Sequence, residues 1–258
     1  MLWARMTDEP ATGYKLFGER CSGTNFIRAL IDRNLPDLTF ANSYNWEKHN
    51  FINPAYVKTT EVALVVIRSA LDWFRSLYRN PHQVGLWYQS VDFSEFLRHE
   101  WSSIINGELI EGQELLDIRH RELMFDRHPV TGGRIANVVE LRNLKVQSQL
   151  KVRHLYENWM IVSYEEARDD PEDFIAELAR LAGLRPCDEF VPVHENMTMF
   201  SGSGREHLPY PEYCRNDLRF LANALDLRQE HEVGFEYPQL HVPGDWSVAD
   251  FAPAVRCS

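Results

Sequence analysis

One stretch constrains the chain more than any other: Tyr14-Lys15-Leu16-Phe17-Gly18-Glu19-Arg20-Cys21-Ser22-Gly23-Thr24-Asn25-Phe26-Ile27-Arg28-Ala29-Leu30-Ile31. Lys15 to Gly18 predicts a short apolar strand, and a small-residue turn follows it. From Thr24 to Arg33 the spacing predicts a helix with Phe26, Ile27, Leu30 and Ile31 on one face, ended by Asn34 and Pro36. Such a strand–turn–helix leaves the first N–H groups of the helix unpaired and aimed outward, where the helix dipole also favours an anion. Ser22 and Thr24 add hydroxyl donors, and Gly23 lets backbone come close to a ligand. The stretch therefore reads as a phosphate cradle.

The remainder alternates in the same way. Glu61-Val62-Ala63-Leu64-Val65-Val66-Ile67 is a continuous apolar, β-branched run, the pattern of a central parallel strand covered on both faces. Arg68 ends it, and Leu71, Phe74, Leu77 and Tyr78 follow at helical spacing until Pro81. Asn158 to Tyr164 is a second central-strand candidate. Asp170-Pro171 opens a helix that Gly183 closes. Residues 1–12 read as a polar lead-in, Trp46-Glu47-Lys48-His49 as a short strand end, and Val84 to Gly133 as helical. Val138-Val139-Glu140-Leu141 is a short apolar run before a helix, and one last helix covers about Glu212 to Glu230. Strands alternating with helices indicate βαβ units and a mainly parallel sheet. With no repeat or linker, residues 1–258 read as a single domain, its core at 14–235, with a helical insertion on the substrate side at about 85–135.

The balance of charge narrows the partners. A formal net charge of −11 argues against nucleic-acid binding, which needs a basic footprint. A chain this acidic that binds a polyphosphate must concentrate its few cations locally. No apolar run approaches the roughly 18 residues of a membrane helix. The first ten residues lack the apolar core of a signal peptide, so the expected location is cytoplasmic. Cys21, Cys187, Cys214 and Cys257 show no metal-binding spacing, and no metal is expected.

Four stretches carry motifs: the cradle at 18–25, Arg68 with Ser76, the run Tyr164-Glu165-Glu166 with Asp170-Pro171 and Ala182-Gly183-Leu184, and Ser203-Gly204-Arg205-Glu206-His207-Leu208-Pro209. In that order they resemble the sulfotransferases that use 3′-phosphoadenosine 5′-phosphosulfate (PAPS), closest in style to bacterial and glycan sulfotransferases. The resemblance implies an α/β three-layer sandwich with a central, mainly parallel sheet, the P-loop NTPase-like sulfotransferase fold. It also implies transfer of a sulfuryl group from PAPS to a hydroxyl of a glycan or small-molecule acceptor, leaving PAP. By family pattern, Arg20, Cys21, Ser22, Gly23, Thr24 and Asn25 would hold the 5′-phosphosulfate. Arg68, Ser76 and Arg205, with Gly204 in the same loop, would hold the 3′-phosphate, and Tyr164 would contact the adenine.

The chain departs from the family at Cys21, which stands where a Lys or Arg usually touches the bridging oxygen. Arg20 is adjacent and Lys15 lies farther back. Lys48-His49 is the leading source of both a cation and a base, because cytosolic members carry a K-x-H segment before the Arg-ending strand. Sulfuryl transfer is an in-line displacement in which the acceptor oxygen loses a proton while charge grows on the leaving phosphate oxygen. A histidine suits the first need, and cations with backbone N–H groups suit the second. Glu19, Glu47, Glu95, Glu111 and Glu114 stay open as carboxylate bases. Two other readings also stay open. A nucleotide or nucleoside kinase would want a Walker lysine where Thr24 stands. A non-catalytic PAP-binding module would tolerate Cys21.

Overall fold

The computed structural model describes residues 1–42, 47–54, 60–105, 121–193 and 209–240. Five strands form one mixed, mostly parallel sheet. They are β1 (Leu2–Arg5), β2 (Gly13–Phe17), β3 (Thr39–Phe40), β4 (Glu61–Ile67) and β5 (Asn158–Ser163), in the order β1-β5-β4-β2-β3. The pairs β2/β3, β2/β4 and β4/β5 are parallel, and β1 joins β5 antiparallel at the edge. Every residue of β2 and of β4 is buried, as the continuous apolar run of β4 requires of a strand covered on both sides.

Side chains alternate across this sheet. Tyr14, Leu16, Val62, Leu64, Val66, Met160 and Val162 face helices α1 (Thr24–Asn34) and α7 (Pro171–Ala182). Phe17, Ala63, Val65, Ile67 and Ile161 face the opposite way, toward Val146 and Val152 of α4 (Val138–Gln149) and α5 (Val152–Leu155). The chain thus leaves β2 toward one face and returns from β4 to β5 along the other. The carboxyl ends of β2 and β4 form the crevice where such sheets bind ligands.

A separate apolar cluster lies beyond that edge. It joins α2 (Ala70–Arg79), α3 (Phe93–Arg98), α4 and α8 (Arg215–Ala224) through Trp73, Phe74, Phe96, Trp101 and Leu221. Short helix α6 (Tyr164–Asp169) continues directly from β5, and α9 (Leu227–Glu232) follows α8.

Several local expectations are corrected. Residues 1–12 are not only a lead-in, since Leu2–Arg5 gains its strand pairing from β5 rather than from its own pattern. Glu47–His49 is a 3-10 turn, not a strand end. Val138-Val139-Glu140-Leu141 belongs to α4, because the Asn137 side chain caps it by accepting from the N–H groups of Val139 and Glu140. Within the 84–133 segment the described residues, 84–105 and 121–133, are only partly helical: α3 and 3-10 turns at Leu86–Ser90 and Met124–Asp126 are tied by isolated bridges Val84–Ser103, Trp101–Ile135 and Ile104–Glu122. The last helix is two, because Asp226 caps a fresh start at α9. Among the described residues no helix is long and apolar enough to cross a membrane.

Candidate functional site

The loop between β2 and α1 is tightly specified. Gly18 is enclosed: a Cβ there would lie 2.7 Å from both the Val66 carbonyl oxygen and Thr24 Cγ2. Gly23 adopts φ +88°, and a Cβ on it would overlap the Tyr164 ring. Between them Cys21 also takes the left-handed region, at φ 63°, which costs a side-chain-bearing residue roughly 1–2 kcal/mol. Ser22 is buried, and its Oγ donates to the Glu19 carbonyl at 2.5 Å. Helix α1 opens at Gly23 with no side-chain cap, so its leading N–H groups are presented to the crevice.

Three distant residues close on this loop. Arg68, just past β4, donates from Nη1 to the Cys21 carbonyl at 3.1 Å, and its guanidinium carbon lies 5.2 Å from the Tyr164 ring centroid. Ser76, on α2, is buried beside the Cys21 thiol, which donates to the Asn80 carbonyl at 3.4 Å. Burial pushes that thiol up to about 11, so Cys21 is no thiolate at neutral pH. Tyr164 is the first residue of α6, held there by a capping box between Ser163 and Glu166, and its ring meets Phe26 edge-on at 5.8 Å. Glu165 accepts the Ser69 N–H at 3.1 Å, which ties the ends of β4 and β5 together.

Lys48 and His49 reach the same loop from the other side. The Gly18 N–H donates to the Lys48 carbonyl at 2.9 Å, and Lys48 Nζ donates to Asn25 Oδ1 at 2.7 Å. His49 Nδ1 lies 2.7 Å from the Gly18 carbonyl oxygen. A carbonyl only accepts, so Nδ1 carries the proton and Nε2 presents a lone pair. Burial, then Lys48 and Arg20, holds the His49 imidazole well below its ordinary range, neutral at pH 7. Burial and Arg28 bring Lys48 down to about 8, and burial, Arg20 and Lys48 bring His82 down to about 4. Among the described residues no carboxylate lies within ion-pair distance of Lys48 or Arg68, and Arg68 Nε is buried without a hydrogen-bond partner. Lys48, which Arg28 repels, and Arg68 at an uncapped helix start make a site suited to a polyanion.

Arg20 behaves differently from its sequence neighbours. Its guanidinium is buried against Asp126, Glu19 and Ser103, and Lys145 Nζ completes the group at 2.9 Å from Asp126 and 3.3 Å from Glu19. Burial works against the charge on each partner. Even so, Asp126 and Glu19 hold Arg20 charged, and Arg20 and Lys145 hold the Asp126 carboxyl well below its usual range. Lys145 also donates to the His49 carbonyl at 2.6 Å, and Trp73 Nε1 to the Arg20 carbonyl at 2.6 Å. This network braces the loop and the His49 turn. Lys15 is likewise occupied, 3.2 Å from Glu47.

The structure therefore brings together Ser22, Gly23, Thr24, Asn25, Lys48, His49, Arg68, Ser76 and Tyr164, with Cys21 inside the loop and Arg20 beneath it. Gly204 and Arg205, like Glu111 and Glu114, lie outside the described residues. The sequence did not single out His82, Asp126 or Lys145. For His82 a signal existed, the Asn80-Pro81 break at the carboxyl edge after α2. For the other two there was none, since their partners are remote in the chain. No protein-family model matches this chain, and neither does any curated protein sequence.

Proposed function

We propose that the chain is a PAPS-dependent sulfotransferase of the three-layer, P-loop-like α/β type, moving a sulfuryl group to an acceptor hydroxyl. One observation carries the reading. Two cations with no carboxylate at ion-pair distance among the described residues, Lys48 and Arg68, flank an uncapped α1, and His49 hangs from the same loop with its Nε2 lone pair outward from the Gly18 contact. The orphaned Arg68 Nε is a donor still seeking an anion, which fits a phosphorylated ligand.

In this reading the N–H groups of Gly23, Thr24 and Asn25, with Lys48, hold the 5′ end of the nucleotide, while the Ser22 N–H stays on the Glu19 carbonyl and shapes the loop. Arg68 and Ser76 hold its 3′-phosphate, and Tyr164 holds the base. PAPS supplies an activated sulfuryl group whose departure leaves charge on a phosphate oxygen. Lys48 and the N–H groups oppose that charge as it grows, which is stabilisation of the transition state more than of the ground state. His49 Nε2 takes the proton of the acceptor hydroxyl. Its low basicity in the free protein reflects burial and neighbouring cations, and a bound polyanion offsets the second of these, raising it toward the working range.

Calorimetric titration with adenosine 3′,5′-bisphosphate, against 5′-AMP and ATP, tests the reading. The expected result is micromolar binding that favours the 3′-phosphorylated nucleotide and loses that preference in Arg68→Ala. Equal or tighter binding of ATP overturns it. His49→Ala is expected to lower transfer by roughly 10²–10⁴-fold with nucleotide affinity unchanged.

A further inference from the structure

Helix α4 carries polar side chains where its packing would suit apolar ones. Val138, Val139, Leu141 and Val146 join the apolar clusters on either side of it, yet Arg142, Lys145 and Ser148 of the same helix are buried as well. Spaced three apart, these three form one stripe along the helix. Arg142 meets Glu230 of α9 in a bidentate pair, Nε to Oε1 at 2.8 Å and Nη2 to Oε2 at 2.9 Å. Burial works against the charge on Arg142, and Glu230 maintains it. Apolar residues of similar volume often replace a buried ion pair with no loss of stability. Stability alone therefore does not account for two such groups on one helix.

Each member of the stripe also bonds to main chain at the edge of the site. Arg142 Nη2 donates to the Arg68 carbonyl at 2.8 Å. Lys145 Nζ, besides meeting Asp126 and Glu19, donates to the His49 carbonyl at 2.6 Å. Ser148 Oγ accepts the Ile52 N–H at 2.9 Å, just past the His49 turn. Glu230 extends the hold on the Arg68 turn: its Oε2 accepts from the Tyr237 hydroxyl at 2.8 Å, and that hydroxyl accepts the Ala70 N–H at 2.8 Å. Arg68 and His49 in turn bond to two carbonyls of the cradle, those of Cys21 and Gly18.

We propose that Arg142 and Lys145 are positioning residues, through which α4 sets the place of the Arg68 turn and of the His49 turn separately. The two turns lie on either side of β4 in the chain, and α4 bonds to both. A helix is stiff along its axis, and donors three residues apart are about 4.5 Å apart along it. The spacing of the two turns is thereby fixed by a rigid element instead of by the loops themselves. Arg142 acts on the phosphate that Arg68 holds, and Lys145 on the nitrogen of His49 that takes a proton, neither touching a ligand. That phosphate and that proton rest on the sulfotransferase reading, whereas the two backbone contacts do not.

The test gives each arm its own readout. Calorimetry measures the preference for adenosine 3′,5′-bisphosphate over 5′-AMP. The ring ¹⁵N resonances of His49 at neutral pH, identified by their loss in His49→Gln, report its tautomer. In the natural chain this should be the Nδ1–H form that the Gly18 carbonyl selects, and finding the Nε2–H form there overturns the proposal. Arg142→Lys keeps a charge beside Glu230 but lacks the fork that reaches both Glu230 and the Arg68 carbonyl. It should lower the 3′-phosphate preference about tenfold or more and leave the His49 tautomer in place. Lys145→Met should do the opposite, bringing in the Nε2–H form while the preference holds. If either variant does not fold, Tyr237→Phe serves the first arm. Lys145→Met combined with Asp126→Asn, which removes one charge of each sign, serves the second. A variant that leaves its own readout in place overturns the proposal, and so does one that moves both readouts, the mark of general loosening. A natural chain with no 3′-phosphate preference counts against the sulfotransferase reading. The proposal is then decided by the His49 signal, which must move with Lys145→Met and stay with Arg142→Lys.

Discussion

Arg20 and Lys48 are both cations set against one loop, and the fold treats them in opposite ways. Arg20 is ringed by Asp126, Glu19 and Ser103 in a group that Lys145 completes. Lys48 is also buried, yet among the described residues its ammonium meets only the Asn25 amide oxygen, and its neighbours Arg28, His49 and His82 are cations or potential cations. The first arrangement is electrically closed and serves the architecture. The second is open, and it lowers stability until an anion arrives. Charge type and burial do not separate them; the presence of carboxylates does.

The largest effect is expected at the closed group. Asp126→Asn would leave Arg20 and Lys145 facing each other in the interior with only Glu19 between them. Removing one partner of a buried ion group costs on the order of 3–5 kcal/mol. Urea unfolding of the variant should show that loss, and a loss below about 1 kcal/mol would mean the group does not brace the fold. Lys48→Met should do the reverse. With its pKa brought down to about 8, charged Lys48 destabilises the folded chain at neutral pH. The apolar replacement should raise stability by roughly 1–3 kcal/mol, while affinity for adenosine 3′,5′-bisphosphate falls about tenfold or more. A variant both less stable and unchanged in binding would erase the contrast with Arg20.

The sequence disclosed this contrast only in half. The strands β4 and β5, and α7 with its Pro171 start and Gly183 end, are written in local chemistry and are found where expected. So is the loop before α1. Leu2–Arg5 was illegible because its four residues are half-exposed and become a strand through partners about 155 positions away. The 84–133 segment misled because Phe93, Phe96 and Leu97 do follow helical spacing, whereas Trp101 is buried from a bridge to Ile135. At the site, Arg68, Ser76 and Tyr164 were placed by motif spacing. That Arg20 would turn from the crevice could not be read, since its partners Asp126 and Lys145 are fixed only when the insertion and α4 pack together.

The smallest effect is the most selective. His82 sits at about 4 in the folded chain against an ordinary 6.5, lowered by burial and then by Arg20 and Lys48. Between those values the unfolded chain binds a proton that the folded chain refuses. The stability from keeping His82 neutral is therefore fully present above pH 6.5 and is lost as the pH falls toward 4. Between pH 7.5 and 4.5 the natural chain should lose on the order of 1–2 kcal/mol more than His82→Gln, measured by urea unfolding of both. Carboxylates titrating in the same window are common to both chains and cancel. Saturating adenosine 3′,5′-bisphosphate should shrink the difference, because an anion beside Lys48 relieves the repulsion that keeps His82 neutral. An undiminished difference would place His82 outside the reach of the bound anion, and the open cluster would then consist of Lys48, Arg68 and His49 alone.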